Sequence, residues 1–482
     1  MSATYGIMQK ILLSSALAAL FAAPPYAAES TVYLVGPDAA AAVNASTIGT
    51  QGDASLKNVH YVKSTAASDG SGTYASPWKT LSKAGSHTFA PGDILYIEGD
   101  FSGQTFTATL QGTASAPITI IGHDASGTSG YAVMKSIYLS NATYANFTNI
   151  NAGWSSTVTT SNAPSPQFSA LQLLNTAHHL TFTNMQLHDA IEGVPVGMNS
   201  GTHVCNNITF NNLSITRMGN NGLVYADLCG DDIHINGGSI TYTGLNPQYN
   251  GGVHGIYSSG GHSHEFNNIT FAHNINGCQI SLRRGTMIVS GCTFYGTALS
   301  ENTVRASKMM NYNNEDPANS NLIIQIYRNT FIGGSTSSSL TAFYLGNSND
   351  NATEKPSNCF AVYNNTFINS SVDFGSSPSV TYGESFNLYF RNNLFYNSNL
   401  YSEAASSGFT HTYSNNAWWG TCSKSADYDG TSTELNADPA LSSYQVTSTA
   451  YRNAGTATII SSQGITVTYS GVAPDIGKDE YE

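Results

Sequence analysis

Charge is scarce in this 482-residue chain: Asp, Glu, Lys and Arg together make up 10% of it, against about a quarter in ordinary soluble proteins. Helix bundles and coiled coils draw heavily on Lys and Glu, so that architecture is excluded. Basic residues are the scarcer sign, 17 Lys and Arg against 30 Asp and Glu. That balance excludes unaided nucleic-acid binding, which relies on Lys and Arg to neutralise phosphates. Beyond Ile11–Phe21 no stretch is apolar enough to cross a bilayer. The six cysteines show neither Cys-x-x-Cys nor Cys/His zinc spacing and are too few to staple a chain of this length. Gly, Ser, Thr and Asn are abundant, and aromatics reach 11%, too many for a disordered chain. What remains is an acidic, β-rich protein with a polar surface.

The N-terminus points to export. Lys10 precedes the apolar run Ile11–Phe21, which breaks at Pro24-Pro25 and is followed by small Ala27 and Ala28. This charged, apolar, small-residue order is that of a secretory signal, and the run is too short for a membrane span. Residues 1–28 are expected to be a cleaved signal peptide, giving a secreted or periplasmic protein. Residues 29–57, rich in Ala, Ser and Gly, read as a linker or N-terminal cap. In an oxidising compartment Cys205 and Cys229, each just ahead of an equivalent strand, are expected to pair.

Internal repetition sets the fold. One segment type comprises Asn207-Ile208-Thr209-Phe210, Asp232-Ile233-His234-Ile235, Asn268-Ile269-Thr270-Phe271, Asn365-Thr366-Phe367 and Asn393-Leu394-Phe395. A second alternates with it: Gly222-Leu223-Val224-Tyr225, Gly255-Ile256-Tyr257-Ser258, Gln279-Ile280-Ser281-Leu282 and Ala342-Phe343-Tyr344-Leu345. Short alternating segments bounded by Asn, Gly and Ser read as strands. Without helical patterns between them, they predict the coils of a β-solenoid, each burying its apolar row against its neighbours.

The order Tyr61-Val62-Lys63, Asp69-Gly70-Ser71-Gly72-Thr73, Ser76-Pro77-Trp78-Lys79-Thr80-Leu81 and Pro91-Gly92-Asp93-Ile94-Leu95-Tyr96-Ile97 resembles the entry to the pectin-lyase-like superfamily. Pro474-Asp475-Ile476-Gly477 resembles the closing segment of many bacterial members. The resemblance implies an all-β fold, a single right-handed parallel β-helix with short N- and C-terminal caps. The helix is expected over 58–450 and the closing segment over 451–482.

Nine of the 13 histidines fall between positions 178 and 273, in the central coils. Aligning Val224, Ile256 and Ile280 as inward residues turns Tyr225, Asp227, Tyr257, Ser259, Ser281 and Arg283 outward, with Lys308 and Met310 following on the same face. Asp227, His254, Arg283 and Lys308 are then expected on one groove beside Tyr225 and Tyr257. Breaking a uronate chain by β-elimination requires neutralising a carboxylate and removing the adjacent proton. Arg283 is the candidate for neutralisation or as an unusual base, Lys308 or His254 for proton abstraction, and Tyr257 for leaving-group protonation. Asp227, Arg284 and Tyr225 are the candidate substrate-binding residues. Leu282-Arg283-Arg284-Gly285 resembles the Leu-Arg-His-Gly motif of chondroitinase B and alginate lyases, with Arg284 at the His position. The expected partner is an extracellular, acidic polysaccharide.

Two alternatives stand beside the lyase. Gly230-Asp231-Asp232, His254-Gly255 and Arg283 are similar in order to polygalacturonase motifs, which implies hydrolysis by paired carboxylates. The repeat, however, aligns Asp231-Asp232 with Asn206-Asn207 at a strand corner. A non-catalytic carbohydrate-binding or surface β-helix is the other. Asp227, Asp231 and Asp232 also form a candidate calcium set, since hard cations take clustered oxygens.

Overall fold

The computed structural model describes residues 58–159, 168–197, 205–225, 231–246, 252–275, 277–296, 308–313, 322–333, 341–346, 358–374, 386–402, 409–424, 428, 433–460, 464–469 and 471–479. The expected leader, the 29–57 segment, Cys229 and Asp227 lie outside them. The chain forms a right-handed parallel β-helix, whose coils pair strand over strand along three faces.

The first face begins with Val59–Lys63 and Ile94–Glu98, passes through the first halves of the long strands His178–Ala190, Asn206–Met218 and Asp231–Thr241, and ends at Phe409–Ser414. The second halves of those long strands form the second face, continued by Thr293–Tyr295, Thr330–Ile332, Thr366–Ile368, Leu394–Tyr396 and Ala417–Trp419. The third face holds Leu171–Leu174, Val194–Val196, Leu223–Tyr225, Ile256–Ser258, Ile280–Leu282, Lys308–Asn313 and Thr341–Gly346.

A single residue turns the chain from the first face to the second. Asn149, Asn184, Asn212, Asn268, Asn364, Asn392 and Asn415 stand there with φ between +53° and +58°. Asn is the side chain that most readily enters this left-handed region. Stacked in register, the amides join: Asn184 Nδ2 donates to Asn149 Oδ1 at 3.0 Å, and Asn212 Nδ2 to Asn184 Oδ1 at 2.9 Å. One residue further on, Asn329, Asn365, Asn393 and Asn416 are fully buried. Each of the first three donates its backbone N–H to the amide oxygen of the next at 3.0 Å. Buried polar groups need such partners, and here one side chain satisfies two coils.

The two expected segment types need one correction. Asn207–Phe210 and Asp232–Ile235 open the first face, whereas Asn268–Phe271, Asn365–Phe367 and Asn393–Phe395 turn into the second. Both places set an Asn in the left-handed region ahead of an apolar strand, so the local pattern is the same. The second segment type holds as a single row on the third face.

Inward side chains stack along the axis. Phe147, Phe182 and Phe210 lie 5.1 Å apart between centroids. Phe271, Phe294, Phe331, Phe367, Phe395 and Trp418 continue on the second face with spacings of 4.2–5.1 Å. At these spacings aromatic pairs add to the gain from burial alone. Residues near the C-terminus pack on the last coils. Ile459, Ile460 and Val467 pack on Cys359, Ala361 and Tyr363, while Val446, Tyr451 and Ile476 pack on Leu394 and Ala417. Cys292, Cys359 and Cys422 are free thiols.

Candidate functional site

The pairings on the third face place one residue per coil in a column just before each strand. Val194 pairs with Leu223, Leu223 with Ile256, Ile256 with Ile280, and Ile280 with Met310. Two residues upstream, the column reads Glu192, Asn221, His254, Cys278 and Lys308. Successive rungs are about 4.8 Å apart. Gly193, Gly222 and Gly255 follow the first three members. A Cβ on Gly193 would stand 2.2 Å from the Gly222 carbonyl oxygen, and one on Gly222 would stand 2.5 Å from that of Gly255. Only glycine lets the column pack this closely.

His254 is 7% exposed and tightly held. Its backbone N–H donates to Asn221 Oδ1 at 2.7 Å, and its Nδ1 accepts the Cys278 N–H at 2.9 Å. Its ring stacks on Tyr257 with centroids 5.3 Å apart and planes 16° from parallel. Burial, then the nearby Arg283 charge, lowers its pKa to about 4. The imidazole is therefore neutral near pH 7. With Nδ1 accepting that bond, the proton of the neutral ring sits on Nε2.

Glu192 is the residue that motif reading missed. Burial raises its carboxyl above the ordinary value, against the opposing hydrogen bonds of Asn221 and Asn220. A half-buried carboxyl with a raised pKa in a polar column is suited to donate a proton. Its sequence signal is the recurrence Glu192-Gly193-Val194, Asn221-Gly222-Leu223, His254-Gly255-Ile256, which shows only once the pairing is known. Around the column, Asn220 Oδ1, Thr243 Oγ1, Gln279 Oε1 and Ser281 Oγ are buried with no hydrogen-bond partner among the described residues.

The structure redraws the expected outward row. Val224 pairs with Tyr257, and Tyr257 with Ser281, so Leu223, not Val224, is the inward equivalent of Ile256 and Ile280. Tyr225, expected to bind substrate, pairs with Ser258 and is fully buried, because strand alternation turns it into the core. Met310 likewise points inward and is fully buried. Tyr257 and Ser281 share the outward row as expected. Arg283 leaves the end of its strand with its N–H donated to the Ser258 carbonyl at 3.0 Å. Arg284 follows it, and its carbonyl lies 3.1 Å from His264 Nε2. The strand Lys308–Asn313 sets Lys308 opposite Thr341, two rungs from His254.

The acid pair is elsewhere. Asp231 pairs with Asn206 at the start of the first face, as the repeat predicted, and is therefore on a different face from His254. Asp232 has φ +58° and lines a groove of about 400 Å³ with Tyr144, Asn146, His179, Thr181 and His234. Nearby, His234 Nδ1 is 2.9 Å from Glu265 Oε2.

No protein-family model matches the chain, and no curated protein matches it by sequence. Among solved structures, it is similar to pectate lyase Pel9A at 17% identity and TM-score 0.47, over 89% of this chain and 97% of that one. It is similar to XylC, solved with xylose, at 11% identity and TM-score 0.44, over 77% and 86%. It is also similar to a rhamnogalacturonan lyase at 11% identity and TM-score 0.39, over 74% and 87%. At these identities the likeness is one of fold.

Proposed function

We propose that this chain is an exported enzyme that degrades a uronate-containing polysaccharide by β-elimination at the third face. The observation that carries the reading is the Arg283 charge felt at a neutral, buried His254 stacked on Tyr257. β-Elimination develops negative charge on the carboxylate and the adjacent carbon, which a fixed cation in a partly dry site stabilises best. In this reading Arg283 pairs with the substrate carboxylate and Lys308 accepts the proton. His254 Nε2–H and Tyr257 face the departing oxygen, and Arg284 and Asp227 bind the flanking sugar.

One observation favours hydrolysis instead. Glu192, with its raised pKa, is suited to act as a general acid on a glycosidic oxygen. Mass spectrometry of products from a panel of acidic and neutral polysaccharides separates the two. Products one water lighter than hydrolytic fragments, lost in Arg283→Ala with a fall in kcat/KM of about a hundredfold or more, support elimination. Hydrated products overturn it in favour of hydrolysis, and no products from any substrate favour a binding protein.

A further inference from the structure

At the opposite end of the helix from the late coils, three side chains from separate segments converge. His60 comes from the first strand, Val59–Lys63, and His87 from the turn after the helix Leu81–Gly85. Asp93 precedes the strand Ile94–Glu98. One ligand atom from each lies within 4.8 Å of the other two. We propose that His60, His87 and Asp93 form a zinc site that ties the turn after the helix Leu81–Gly85 to the first two strands.

His60 Nε2 stands 3.4 Å from Asp93 Oδ2. That is long for a hydrogen bond, and His60 Nε2 is buried with no hydrogen-bond partner among the described residues. Two atoms each bonded at 2.0–2.1 Å to one tetrahedral zinc lie about 3.4 Å apart. The separation that is wrong for a hydrogen bond is right for two ligands of one ion.

The surroundings hold the ligands as a metal site requires. Asp93 is 3% exposed. Its Oδ1 accepts from Asn58 N and Nδ2 at 3.3 and 3.2 Å, and its Oδ2 from Ala90 N at 2.8 Å. Oδ2 keeps a second lone pair beside the one that accepts from Ala90 N. His60 stacks on Trp78 at 5.4 Å and meets Phe89 edge-on, while His87 packs on Trp78 and Phe89. Two nitrogens and one carboxylate oxygen suit zinc, with water in the fourth position. One carboxylate and two neutral imidazoles leave the divalent ion only partly neutralised.

The test uses the purified full chain, stripped with chelator and reloaded with zinc or cobalt. Retention of one zinc per chain through gel filtration is expected, with a visible absorption band of tetrahedral intensity in the cobalt form. Both should be lost in His87→Ala. Zinc should also raise Tm of the stripped wild type by several degrees, a readout that stands if His87→Ala does not fold. Retention unchanged in a folded His87→Ala would place the metal at other histidines and overturn the assignment. Absence of retained zinc or of a Tm shift in the wild type would overturn it as well.

Discussion

Tyr225 and His264 meet inside the β-helix, the phenol oxygen 2.9 Å from Nδ1 of the imidazole. The other ring nitrogen lies 3.1 Å from the Arg284 carbonyl. A carbonyl only accepts, so Nε2 carries the proton and Nδ1 accepts from the Tyr225 hydroxyl. The two buried rings thus anchor the backbone turn that presents Arg283 and Arg284. Tyr225→Phe removes the hydroxyl's bond to Nδ1 and should cost about 1–3 kcal/mol in urea unfolding. A cost near zero would mean that the bond contributes nothing to the native state.

Acid should weaken the fold through His254. Its folded pKa of about 4 lies below the ordinary 6.5. Between these values the unfolded chain binds the proton and the folded chain does not, so stability falls as pH drops from 6.5 towards 4. The full displacement is worth about 3 kcal/mol. Chemical unfolding at pH 7 and pH 4.5 should show a smaller loss in His254→Gln than in the wild type. Equal losses would count against the burial argument.

Glu192 reverses that sign. Its carboxyl is raised above the ordinary value, so the stability it permits when protonated is lost as pH rises through the folded pKa. Glu192→Gln should be more stable than the wild type at pH 7 and level with it near pH 4, by urea titration. If Glu192 is the proton donor of the reaction, the same variant loses about a hundredfold or more in kcat/KM. Full activity would leave it a structural neighbour of Asn221.

The inner asparagine ladder should be costly to break. Asn365 Oδ1 accepts from Asn329 N, and its Nδ2 donates to the Ile326 carbonyl at 2.8 Å. Asn365→Ala strands buried groups on two coils and should destabilise by about 2–5 kcal/mol in thermal or urea unfolding. Asn141→Ala, at an exposed turn, should cost far less. Similar costs at both positions would deny the ladder its role.

Periodicity made the solenoid legible because each coil repeats a short apolar strand behind a small polar residue. The third-face row, Leu223 to Phe343, was readable for the same reason. The register within it was not, because Leu223-Val224-Tyr225 offers three apolar residues in succession and nothing local says which turns inward. Only pairing with Ile256 settles that, and with it the burial of Tyr225. Asn207 and Asn268 were merged because two corners use the same left-handed asparagine. Glu192 escaped because a lone acid before glycine has no motif. Its meaning depends on being stacked with Asn221 and His254, a relation between coils that no local stretch contains.

Along the third face, successive members of the Glu192–Lys308 column are separated in the chain by stretches of unequal length. Strand register is kept while the spacing varies, so the stacked column is specified separately from the stretches between its members. Each coil touches only its neighbours. A loop can therefore be replaced, or a whole turn duplicated, without disturbing the stacked floor elsewhere. The column can therefore keep its stacking while the stretches between its members change length.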